Sequence, residues 1–271
     1  MKTRRITKSL AALAVIATIP VLVACSSDVA APETAESGTS SEPLIIGTSG
    51  TYNPITFSDG GTLAGYDIDW GNAIGEKLDR EVEWVEGPLA GLLTGLQSSK
   101  YDLVMSALTM NDERKAAIDF SDAYLADGVV AVVGESNTTI SSIEDLAGLR
   151  VGVIGGSGYQ TAIEELGGYS ELVEYTDAPT GFADLKIGRI DVFAAGKIPA
   201  TTFVNNDTTG GEALKIAGEP LALLPAGVGI AKGDTELTEQ VNAAIAEIKS
   251  DADGDAIAEK WFGFTIPGVT N

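Results

Sequence analysis

Short apolar runs of strand length alternate along this chain with segments whose apolar residues recur every three or four positions, and that alternation limits the folds open to it. Leu44-Ile45-Ile46 reads as a buried strand, Ile68 to Leu78 as a helix with Ile74 and Leu78 on one face, and Val82 to Val85 as a strand. Leu89, Leu92, Leu93 and Leu96 mark one face of the next helix, before the strand Leu103 to Met105. After Ala126-Asp127-Gly128 the pattern restarts, with strands at Val129 to Val133 and Val151 to Ile154 and a helix facing inward through Tyr159, Ile163 and Leu166. Strand Leu172 to Tyr175, a helix around Phe182 and Leu185, and strand Ile190 to Ala194 complete this second set. Leu237, Val241, Ile245 and Ile248 share a stripe, and Ile257 and Trp261 close a last helix. Repeated strand-helix-strand units predict an α/β protein with mainly parallel sheets covered by helices. Trp70, Trp84 and Trp261 sit on apparent core faces.

The N-terminus reads differently. Lys2, Arg4, Arg5 and Lys8 precede the apolar run Leu10 to Val23, and small residues lead into Cys25, the one cysteine of the chain. This is the pattern of a signal peptide over residues 1–24. The run is shorter than the roughly 18 to 20 residues that span a bilayer. Leu22-Val23-Ala24-Cys25 resembles a bacterial lipobox, which implies lipidation of Cys25. Residues 26–42 are rich in Ser, Ala, Thr, Glu and Pro without an apolar period, so they are expected to act as a flexible tether.

Charge and residue inventory exclude much chemistry. The chain carries 17 basic and 39 acidic residues, a formal charge of −22 that becomes −26 once the four basic residues of the leader are removed. Such a field repels phosphate backbones, so nucleic-acid binding is not expected. Histidine is absent, which removes the usual imidazole base and most transition-metal sites, and the acids show no EF-hand spacing. Neither cofactor nor metal is expected. Gly152 to Gly158 lacks the offsets of a dinucleotide loop.

One stretch gathers ligand chemistry. In Met105 to Arg114, an apolar strand empties into a small, hydroxyl-bearing turn and then an acidic helix start with one arginine. Backbone N–H groups, the Thr109 hydroxyl and the Arg114 guanidinium can thereby surround a carboxylate; the plainer reading is a surface ion pair of Arg114 with Asp112 or Glu113.

The motifs Gly65-Tyr66-Asp67-Ile68-Asp69, Leu96-Gln97-Ser98-Ser99-Lys100-Tyr101-Asp102, Asn111-Asp112-Glu113-Arg114-Lys115 and Asp119-Phe120-Ser121-Asp122-Ala123-Tyr124 follow one another in order. They continue through Ile143 to Val153, Gly188-Arg189-Ile190-Asp191, Gly229 to Asp234 and Lys260-Trp261-Phe262-Gly263. Over residues 44–263 the chain resembles the polar amino-acid family of periplasmic solute-binding proteins. The resemblance implies a type II periplasmic binding protein fold: two lobes, residues 43–126 plus 223–271 and residues 127–222, joined by two crossover strands near Ala126 to Val129 and Gly218 to Leu224. It implies a monomer, held outside the cytoplasm by its lipid, that closes on a small carboxylate-bearing solute and delivers it to the permease of an ABC importer.

It also implies roles by position. Arg114 matches the arginine that grips the ligand α-carboxylate, Thr109 the hydroxyl and N–H beside it, and Ala107 a backbone carbonyl. Tyr52 matches the aromatic that lies on the ligand side chain, and Leu89 stands where relatives carry a larger wall. Gly156-Ser157-Gly158 opens a helix whose N–H groups would meet the carboxylate from the second lobe. Asp67 and Asp191 match positions with structural roles. The chain departs from the family at Gly196, where binders of free amino acids carry the aspartate that pairs with the α-ammonium, and at Ser49, where cationic-side-chain binders carry an acid. Lys197 beside Gly196 would meet a second acidic group of the ligand. These departures disfavour lysine, arginine and histidine. They point instead to an acidic or neutral amino acid held through water, an amino acid modified on nitrogen, or a small organic acid. Two other classes fit the same resemblance: a sensory or partner-binding lipoprotein, and a periplasmic dehydratase-like enzyme using a carboxylate as acid or base.

Overall fold

The computed structural model describes residues 42–266 together with residue 269. The leader, Cys25 and the tether through residue 41 lie outside the described residues. In chain order the elements begin β1 (Leu44–Thr48), β2 (Thr51–Tyr52), β3 (Thr56–Asp59), β4 (Thr62–Ala64), α1 (Tyr66–Lys77), β5 (Val82–Glu86), α2 (Leu89–Gln97) and β6 (Leu103–Val104). They continue with α3 (Asp112–Ala117), β7 (Asp119–Gly134), β8 (Arg150–Ile154), α4 (Gly158–Leu166), β9 (Glu171–Tyr175), α5 (Ala178–Lys186), β10 (Val192–Gly196) and α6 (Lys197–Asn206). β11 (Leu214–Ala217), β12 (Leu223–Ile230), α7 (Thr235–Ser250) and α8 (Asp253–Phe262) complete the chain.

Helices α3, α4, α5 and α7 start where side chains satisfy orphan N–H groups. Asn111 accepts from Arg114 N at 2.9 Å, Ser157 from Gln160 N at 3.2 Å, Asp177 from Thr180 N at 2.8 Å and Asp234 from Leu237 N at 3.1 Å. No helix among the described residues is long and apolar enough to cross a membrane.

Both predicted parallel sets are present. β1 lies between β5 and β6, with Ile46 opposite Trp84 and Leu103, and β8 lies between β10 and β9, all parallel. What the apolar pattern understates is β7. Its 16 residues run through both sets, pairing antiparallel with β12 in its first part and with β10 and β11 in its second. The strand path is therefore β5-β1-β6-β12-β7-β10-β8-β9, with β11 on β7. The sheets are mixed rather than mainly parallel because the crossover strands join them edge to edge. Near the two crossings Leu223 faces Gly128 and Leu224 faces Asp127. The small antiparallel sheet β2-β3-β4 was not expected; its strands are two to four residues long, too short to set a period.

Each set has its own aromatic packing. Trp70 is fully buried beside Tyr66 and Tyr124, and Phe262 of α8 stacks on Tyr66 with ring centroids 4.6 Å apart. Lys260 and Trp261 donate to Asp69 Oδ2 at 2.6 and 2.7 Å, so the C-terminal helix is tied to α1. In the second set Phe182 lies between Phe193 and Phe203, at 4.8 and 3.9 Å. Burying one such ring contributes about 1.5–3 kcal/mol. The tryptophan expectation is met in full only by Trp70. Trp84 and Trp261 are half-buried, because their indole N–H groups reach Asn72 and Asp69 at the rim of the core.

Asp67 and Asp191 have the structural roles expected of them. Asp191 accepts from the backbone N–H, Nε and Nη2 of Arg150 at the start of β8, which holds its carboxyl below the usual range.

Candidate functional site

The loop from β6 to α3 carries Ser106, Ala107 and Thr109, and the first turn of α3 carries Arg114, to a cleft whose other wall is the start of α4. Arg114 is buried, not a surface partner of Asp112 or Glu113. Its Nη1 donates to the Thr109 carbonyl at 2.9 Å and the Thr109 hydroxyl at 3.0 Å. Its Nη2 donates to the Gly156 carbonyl in the β8–α4 loop, in a short contact that bridges the cleft. Burial pulls the guanidinium down to about 10, so it stays charged at neutral pH.

Ser49, Thr51, Tyr52, Leu89, Ser106, Ala107, Thr109, Arg114, Ile154, Ser157, Gly158, Tyr159 and Thr176 line the cleft. The enclosed volume is ≈ 30 Å³, room for one or two waters. An amino acid is several times larger, so its entry requires the Arg114–Gly156 bridge to yield. A groove of ≈ 630 Å³ begins on the far side of Thr51 and Tyr52, between the β2–β3 turn and helices α5 and α6.

Seven of the ten residues expected to bind ligand line this cleft, and an eighth, Gly156, bonds to Arg114 across it. Within the glycine loop, Gly156 N–H donates to Gln160 Oε1 at 2.7 Å and Ser157 N–H to Ile154 O at 3.2 Å. The expectation that this loop offers its N–H groups is therefore narrowed to Gly158 and the first turn of α4, whose N–H groups point out of the helix end. Gly196 takes part through its backbone, donating N–H to the Tyr52 hydroxyl at 3.1 Å. Lys197 does not belong to the lining. Its side chain turns outward to Glu219 at 3.3 Å, because α6 begins at this residue and directs it away from the cleft.

Two groups were missed by sequence reading. Tyr159 carries an ordinary core stripe position, yet lies two residues after the capping Ser157, so its ring enters the cleft wall. Its hydroxyl lies close to the Tyr52 hydroxyl and to the carboxylate of Asp127 on the crossover strand. Asp127 is buried, and burial pushes its carboxyl up to about 7 against the opposing N–H groups of Ile198, Gly128 and Lys197. No spacing in the sequence connects residue 127 to residue 159.

Asp67 supports the cleft from below. Its Oδ2 accepts from Ala107 N at 2.8 Å, and Oδ1 from the Tyr124 hydroxyl at 2.9 Å. These bonds hold Ala107 at a positive φ of 48°, a conformation unusual for a residue with a Cβ. Burial lifts the Asp67 carboxyl to about 7, whereas an unfolded aspartate titrates near 4. Folding therefore takes up a proton in this window, and stability falls as pH rises from about 4 to about 7. Asp67→Asn removes the effect: between pH 5 and pH 8 the native protein is expected to lose on the order of 2 kcal/mol relative to the variant. Denaturant melts at both pH values measure this difference.

A helix-flanked pair of sheets joined by crossover strands, with a cleft between them holding a buried arginine, defines a type II periplasmic binding protein. The chain belongs to the bacterial extracellular solute-binding proteins, family 3, whose model matches residues 44–264. It is 34% identical to the L-cystine-binding protein TcyJ of Escherichia coli, over 82% of this chain and 84% of that protein. It is 32% identical to the L-arginine-binding protein of Pseudomonas aeruginosa, over 84% of this chain and 90% of that protein. Among solved structures it is similar to an ancestral arginine-binding protein bound to arginine, with TM-score 0.77 and 37% identity, covering 82% of this chain and 98% of that one.

Proposed function

We propose that the protein is the lipid-anchored substrate-binding component of an ABC importer, and that it captures an amino acid or amino-acid derivative by its α-carboxylate. In this reading Cys25 carries the lipid, residues 26–42 are the tether, and the lobes are residues 43–126 plus 223–271 and residues 127–222. They hinge at the crossover strands and close without catalysis, and the loaded monomer docks on its permease outside the cytoplasm. The observation that carries the reading is the buried guanidinium of Arg114, bonded to Thr109 on one wall and to Gly156 on the other. A carboxylate is a better acceptor than either carbonyl, so the ligand takes over both bonds and the Gly158 end of α4 meets it from the opposite side. Tyr52 and Leu89 pack on the rest of the solute, and the cystine and arginine specificities of the relatives set the ligand class to try first.

Thermal melting against L-cystine, L-arginine, L-glutamine, N-acetylated amino acids and small mono- and dicarboxylates tests this. A ligand that binds only the folded form raises the melting temperature by mass action. One class is expected to do so at micromolar concentration. No shift with any carboxylate would leave a sensory or partner-binding role as the better account.

A further inference from the structure

An amino acid brings an ammonium as well as a carboxylate, and enclosing that charge without an anion is strongly unfavourable. The residues lining the cleft supply hydroxyls, apolar surface and one cation, but no carboxylate. Three carboxylates touch this lining, and one of them, Asp177, accepts from the Thr176 hydroxyl at 3.3 Å and caps α5 at the Thr180 N–H at 2.8 Å. Asp67 is spent on the Ala107 N–H and the Tyr124 hydroxyl. Asp127 accepts from backbone N–H groups, of Gly128 at 2.8 Å and Ile198 at 3.2 Å. The neighbouring Lys197 turns away to Glu219.

The position of Asp127 is the informative feature. A Cβ built on Gly196 would stand 2.3 Å from Asp127 Oδ2 and 2.4 Å from the Tyr159 hydroxyl. Residue 196 is thus a glycine because a carboxylate from another strand already fills its side-chain space. That carboxylate lies beside the Tyr159 hydroxyl, which neighbours the Tyr52 hydroxyl, itself the acceptor of the Gly196 N–H at 3.1 Å, and both tyrosines face the cleft.

Building on the amino-acid reading above, we propose that Asp127 is the positioning anion for the ligand ammonium, acting through the hydroxyls of Tyr159 and Tyr52. The two phenol oxygens accept from the ammonium, and the carboxylate behind them orients their protons away from it. Gly196 and Asp127 then act as one unit: the acid is delivered from β7 instead of from the start of α6. A ligand with a free α-ammonium is favoured over one that lacks it.

The test is calorimetric titration of the full chain with L-cystine, L-arginine and L-glutamine, and with the α-hydroxy acid of the same side chain for each one that binds. The native protein is expected to prefer the amino acid, and Asp127→Asn to reduce that preference by at least about tenfold, with affinity for the hydroxy acid little changed. A purely structural role would weaken both ligands alike. The double variant Asp127→Gly/Gly196→Asp returns a carboxylate to the same space and is expected to restore the preference. It also decides the matter if Asp127→Asn melts below the working temperature. An undiminished preference in Asp127→Asn, or none in the double variant, overturns the assignment. If no amino acid binds the native chain, the amino-acid reading itself fails, together with this inference, before any substitution is made.

Discussion

Arg114→Ala is expected to raise the dissociation constant for the carboxylate ligand by about 100- to 1,000-fold, the consequence of losing a buried, charge-assisted partner worth about 3–4 kcal/mol. The unliganded protein should change much less. Removing the side chain frees the Thr109 and Gly156 carbonyls, which costs about 1–3 kcal/mol, but it also removes a cation whose burial is unfavourable, as its lowered proton affinity records. Arg114→Lys should not rescue binding, because an ammonium cannot make two parallel bonds to a carboxylate while holding Thr109. Calorimetric titration of both variants beside the native chain reads this directly. Binding by Arg114→Ala within a few-fold of native would remove the guanidinium from the site.

Gly158→Ala should act on closure instead of on charge. A Cβ on Gly158 would lie 2.1 Å from the Thr109 hydroxyl and 2.6 Å from Thr109 Cβ. The methyl group therefore wedges α4 away from the loop carrying Thr109, and relieving such overpacking costs about 1–3 kcal/mol. Affinity is expected to fall by about 10- to 100-fold, and the melting temperature without ligand to fall as well, since Gly158 and Thr109 already meet in this structure. Small-angle scattering should show less compaction on adding ligand than in the native protein. Native affinity with native compaction would mean that the cleft does not close through this contact.

The two substitutions separate the two parts of the mechanism. In the proposed closure, Arg114 supplies the attraction that a closing lobe must find, and Gly158 the clearance that lets it arrive. Each depends on a supporting side chain: Asp67 on α1 holds Ala107 in its unusual conformation, and Gln160, in the first turn of α4, fixes the loop around Gly156. Loss of either support should reach the ligand only through these contacts.

Local periods and motifs made much of the molecule legible. The helices over residues 66–77, 89–97, 158–166 and 235–250 and the parallel strands around β1 and β8 follow from apolar spacing, because burying one face is a property each segment carries by itself. The family motifs placed Arg114, Thr109, Ala107, Tyr52 and Leu89 around one cleft, where they are found. Short strands without a period, such as β2 to β4, left no such trace, and the polar residues of β7 hid how far that strand extends.

Tertiary structure alone decided the rest. Whether Lys197 faced a ligand or solvent depended on where α6 begins relative to β10, and it faces Glu219. In the sequence, Gly196 is only an absent side chain. Its meaning lies in Asp127, 69 positions earlier, whose carboxylate occupies the vacated space beside Tyr159. Sequence determined which segments bury which faces, since that depends on neighbours three or four residues apart. The electrostatics of the cleft depend on groups brought together by crossing strands, and only their packing fixes which buried charge lies behind which hydroxyl.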